Sequence, residues 1–152
     1  MKLLYKLLLV LFSVTTFASL PQSLEEYIAT NPTWKKDTSS KSFIATRCSV
    51  INILAAERSG SHPNAQSLAK TFNESASVFA MYSDYLYKLG GGETEQFQQR
   101  AAHWANVYGQ EAVDNINTYN DMTHGEFGED LMFCNQVFMN FVSKDINNLY
   151  KE

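Results

Sequence analysis

Apolar residues recur along most of this chain three and four positions apart, the interval that lines one face of an α-helix. The pattern predicts four long helices. In the first, over about Ser42–Ser59, Ile44, Cys48, Ile51 and Ala55 fall at i, i+4, i+7 and i+11, with Phe43, Val50 and Leu54 widening the stripe. Gly60 ends it. Ser61 and Pro63 open the second, because a proline in the first turn has no hydrogen bond to lose. Leu68, Phe72, Ala76, Phe79, Leu86 and Leu89 hold its apolar face, flanked by Val78, Tyr82 and Tyr85, until Gly90-Gly91-Gly92 stops it. The third, over about Glu93–Met122, carries Phe97, Ala101, Trp104, Tyr108, Ala112, Ile116 and Tyr119 on one face. Glu93 and Glu95 complement the helix dipole in its first turn, and His124-Gly125 closes it. Thr123 and Glu126 have capping-box spacing into the fourth, where Phe127, Leu131, Cys134, Phe138, Phe141 and Ile146 keep the period.

A shorter helical signal precedes these four. Ser23 and Glu26 form an S-x-x-E capping box ahead of Tyr27 and Ile28, Asn31-Pro32 breaks the segment, and Thr33 to Ser40 is polar and turn-like. No alternating β-branched run lies between tight turns, so strands are not expected. The fold class that follows is all-α: an antiparallel up-and-down four-helix bundle over residues 41–152, preceded by a short N-terminal helical arm and linker over 19–40.

Residues 1–18 read differently. Lys2 and Lys6 supply a positive start, Leu7 to Val14 is almost wholly apolar, and Thr16 and Ala18 suit a cleavage site, the order of a secretory signal peptide. Lys6 keeps the apolar stretch below the ~20 residues that a membrane span needs. After removal of this leader no integral membrane segment is expected, and the protein is expected outside the cytoplasm, periplasmic or secreted. The leader holds two of the 12 basic residues and none of the 16 acidic ones, so the remainder carries 10 against 16, a charge of −6. Lys35, Lys36, Lys41 and Arg47 form the one basic neighbourhood, interrupted by Asp37. A chain of this balance repels phosphate backbones, and nucleic acid is not an expected partner. The two cysteines, Cys48 and Cys134, agree with export. In an oxidising compartment such a pair forms a bridge, and each sits in the apolar phase of its own helix, the first and the fourth, which are neighbours in an up-and-down bundle.

Known bundle chemistries find little support in the residues. A dinuclear carboxylate centre needs Glu-x-x-His pairs on two helices, and only Asp121-x-x-His124 approaches that pattern, at a helix end. C-x-x-C-H is absent, and His103 beside Trp104 reads as a structural residue rather than a haem ligand. No metal and no cofactor are expected. Neither G-x-S-x-G nor H-E-x-x-H occurs. Glu111 with Asp114, and Glu126 with Glu129 and Asp130, read as solvated helix faces rather than catalytic pairs. Gly90-Gly91-Gly92 lacks the lysine and the preceding strand of a phosphate loop and reads as a turn, and Asn73-Glu74-Ser75 is a sequon inside a helix. What remains is an excess of tyrosine. Tyr82, Tyr85 and Tyr87 crowd one stretch and cannot all face one core, which makes them the candidate binding surface. The function expected is that of a non-enzymatic, extracytoplasmic binding protein, an inhibitor, immunity-type partner or chaperone-like accessory factor whose partner is another protein. The alternatives are a small-molecule or haem carrier and a hydrolase built on the paired carboxylates.

Overall fold

The computed structural model describes residues 22–149, and the proposed signal peptide over 1–18 lies outside them. Among the described residues every regular element is helical: α1 (Leu24–Thr30), α2 (Thr38–Gly60), a 3-10 turn (Pro63–Ala65), α3 (Gln66–Leu89), α4 (Thr94–Tyr119), α5 (Glu126–Phe133), a π-helical segment (Cys134–Phe138) and α6 (Met139–Leu149). The all-α bundle read from the sequence is therefore the fold. None of these helices is long and apolar enough to cross a membrane.

The boundaries follow local chemistry. Ser23 caps α1 by accepting from the Glu26 amide at 3.2 Å, as its spacing to Glu26 implied. Asp37 caps α2 by accepting from Ser40 N at 2.7 Å, so this helix starts four residues before the point suggested by its apolar stripe. Asn120 adopts the left-handed conformation (φ 55°) and ends α4 at Tyr119, ahead of the expected Met122. The box expected from Thr123 and Glu126 does not form. Thr123 turns instead onto Asp121 Oδ1, through its amide at 2.9 Å and its hydroxyl at 2.8 Å. The first turn of α5 is capped from another helix: Glu111 Oε1 of α4 accepts from Phe127 N at 2.8 Å.

The arrangement departs from a regular square of helices. α2 packs most extensively against α3 and also touches α4 and α5, and every residue from Ile44 to Asn52 is buried. A helix enclosed on all sides must satisfy its polar groups internally. Thr46 Oγ1 lies 2.7 Å from Ser83 Oγ, Ser83 Oγ donates to Ser42 O, Ser49 Oγ donates to Ala76 O, and Asn52 Oδ1 accepts from Asn135 Nδ2. These small side chains let α2 and α3 approach closely.

Cys48 of α2 and Cys134 are joined by a disulfide, with 5.4 Å between their Cα atoms. Cys134 opens the π-helical segment, in which Met139 N donates to Cys134 O, five residues back. The wider turn advances the apolar phase by one position. Phe138 is followed inward by Val142, fully buried, while Phe141 and Ile146, expected on that stripe, are only partly buried. Trp34, in the stretch read as polar linker, is buried against Phe138 and Phe141 with ring centroids 5.9 and 5.0 Å away. The arm is thus built into the core.

Candidate functional site

The three candidate tyrosines do not form one surface. Tyr82 is 3% exposed and donates its hydroxyl to Asp145 of α6, which also takes Lys41 Nζ at 3.1 Å. Burial first, and then the neighbouring carboxylate, push its phenol far above the usual range. Tyr82 is a structural tie between α2, α3 and α6, not a contact residue. Tyr87 is half-buried under Arg100, whose guanidinium carbon lies 4.9 Å from the ring centroid. Its ring also packs against Gly92, where a Cβ would come within 2.1 Å of it, so any larger residue there has to displace the ring or the turn. Tyr85 alone points outward.

It does so in company. Val78, Met81, Tyr85 and Leu89 follow one another at i, i+3, i+7 and i+11, and their exposures are 38, 74, 46 and 62%. The core-facing residues of α3, among them Ala76, Phe79, Tyr82, Ser83 and Leu86, occupy the adjoining arc. At 3.6 residues per turn the apolar sector from Met81 round to Ala76 covers roughly 220°. A helix needs about 100° to face its own core. The surplus is a continuous apolar seam with Glu74 and Lys88 at its two ends, and Leu89, expected in the core, belongs to it. Leu68, also expected in the core, is 47% exposed at the start of the helix. An open groove of about 660 Å³ between α2 and α3 shares Glu74 and Val78 with the seam.

The carboxylates offered by the sequence have separate roles. Asp130, read as part of a solvated face, is buried instead. Its Oδ2 accepts from Arg47 Nη2 at 2.6 Å and from the Tyr108 hydroxyl, and its Oδ1 accepts from Leu24 N at 2.8 Å. Arg47 also donates from Nε to Tyr108 Oη and from Nη1 to Gln22 O, and its guanidinium carbon lies 4.3 Å from the Trp104 ring centroid. Burial pushes the Tyr108 phenol upward, outweighing the opposing pull of Arg47. The cluster fastens the N-terminal arm to α2, α4 and α5. Glu111 is occupied as the cap of α5, and desolvation raises its carboxyl above the ordinary range. Glu126 is raised for the same reason, with Asp130 and Glu26 adding repulsion. Asp114 and Glu129 are exposed.

The histidines stand apart from one another. His103, read as a structural residue, is exposed with its ring beside Trp104, and His124 stacks at 3.7 Å on Tyr119, which is exposed rather than on the core stripe. Among the described residues no three His, Cys, Asp or Glu side chains converge as metal ligands would. Comparison with known protein families, curated proteins and solved structures finds no match to this chain.

Proposed function

We propose that this is an extracytoplasmic, non-enzymatic interaction protein whose contact face is the α3 seam of Val78, Met81, Tyr85 and Leu89. One observation carries the reading: the apolar arc of α3 runs about 100° beyond the residues its own core buries, leaving Met81 and Leu89 mostly in water. Leaving such side chains exposed forfeits about 1.5–3 kcal/mol of burial for each, so a partner surface that covers them gains that energy. Anchors at i, i+3, i+7 and i+11 are the arrangement by which a helix docks into a complementary surface. Export is supported by the leader composition over residues 1–18 and agrees with the Cys48–Cys134 bridge. The site holds apolar contact and one phenol hydroxyl, which suits recognition of another protein better than turnover of a small substrate.

A photo-crosslinking side chain placed at Met81 in the native host tests this. It should give a discrete protein adduct in intact envelopes or medium, and the same side chain at exposed Gln98 on α4 should give none. No adduct at Met81, or equal adducts at both positions, removes the proposal.

A further inference from the structure

The seam has a charge pattern that selects its occupant. Glu74 lies seven positions before Met81 and Lys88 seven positions after it, two helical turns in each direction along nearly one line. Both side chains are largely exposed, 68 and 56%, and among the described residues each pairs only with an (i, i+4) neighbour on its own helix, Lys70 and Asp84 respectively. We infer that the seam is covered by the same seam of a second copy of this chain, the two α3 helices lying antiparallel about Met81. The inference rests on the seam being a contact face and names what covers it. About a two-fold axis at Met81, Glu74 of each copy meets Lys88 of the other, twice by symmetry. A parallel pairing would set glutamate on glutamate and lysine on lysine. The four charged side chains along the seam, Lys70, Glu74, Asp84 and Lys88, sum to zero, so the negative charge of the whole chain is not concentrated where the copies meet. About that axis Met81 meets its own image and Val78 meets Tyr85, while Leu89 lies opposite Asn73 at the edge, so the interface is small and exchanges readily. Methionine at its centre adapts to its own image across the axis.

Sedimentation velocity of the oxidised, leader-processed protein, from low to high micromolar concentration, tests this directly. The sedimentation coefficient should rise toward that of a dimer. Met81→Asp, at a position 74% exposed and therefore safe for folding, should stay monomeric with an unchanged helical spectrum. Glu74→Lys and Lys88→Glu should each weaken association about tenfold, through two symmetry-related contacts turned repulsive. Combined, they should restore it. A wild-type protein that stays monomeric overturns the inference, as does a dimer indifferent to Met81→Asp, or reversals that combine without rescue. The crosslink at Met81 separates the two claims. An adduct to a different protein defeats the two-copy inference, whereas absence of any adduct defeats the contact face itself.

Discussion

Replacing Asp130 with asparagine keeps the shape of the side chain and an oxygen for the Leu24 amide, but removes the charge that faces Arg47. The guanidinium is then left inside the protein, with Nη2 2.6 Å from an amide instead of a carboxylate and its face against Trp104. Breaking a buried pair from one side costs about 3–5 kcal/mol, because the remaining charge is neither solvated nor paired. A domain of this size has roughly 5–15 kcal/mol in total. With a urea m-value of about 2 kcal/mol/M, the unfolding midpoint followed by far-ultraviolet circular dichroism should fall by about 2 M. Arg47→Met alone should also cost several kcal/mol, since it strands the carboxylate. The double variant should recover most of the loss, because an uncharged pair of similar volume has no ion to desolvate. An Asp130→Asn loss below about 1 kcal/mol, or single losses that add to within about 0.5 kcal/mol in the double variant, would refute this account of the core.

Removing the disulfide as Cys48→Ala with Cys134→Ala should cost about 4–5 kcal/mol in the chain-entropy account, the two residues being 86 positions apart, and should be read in the same urea titration. The intact mass of wild-type protein should rise by two hydrogens on reduction, and no rise would count against the bridge. Gly92→Ala drives a methyl group into the Tyr87 ring and should destabilise by about 1–3 kcal/mol, seen as a lower thermal midpoint; an unchanged midpoint would show that the turn gives way freely. Glu111 and Glu126 bind protons more readily folded than unfolded. Their contribution is therefore full below the ordinary glutamate range and is lost as pH rises through their raised folded values. Glu111→Gln, which keeps an acceptor for Phe127 N, should flatten that decline, and an unaltered pH–stability curve would contradict the burial argument.

The helices and their stops were legible because each is written locally. Ser23 three residues before Glu26, Gly60, and the Gly90–Gly92 run act within one turn, and the stripes around Ile44 and Phe127 are period and nothing more. The disulfide was legible because both cysteines lie in those stripes. The buried ion pair was present in the same pattern but masked by composition. Arg47 is three residues after Ile44 and four before Ile51, and Asp130 is three after Phe127 and four before Cys134, so a charge of each sign stands in a core phase. By composition alone each groups with the surface charges nearby. Val142 was hidden for a different reason, since a π-helical turn shifts the phase and no side chain announces it. Trp34 belongs to a segment with no period, where a single aromatic residue reaches the core from a turn. Tyr82 and Tyr85 differ by three positions, and only the position of α6, with Asp145, decides which of them is inside.

Methionine oxidation measures, with an internal reference, whether the α3 seam is covered in its native setting. Met81 and Met132 are both well exposed in the isolated chain, at 74 and 54%, on different helices. Oxidant-pulse mass spectrometry should find Met81 oxidised at least as fast as Met132 in dilute purified protein, and selectively protected in intact cells or their medium. Met81 reacting as fast as Met132 in both settings would contradict the central claim.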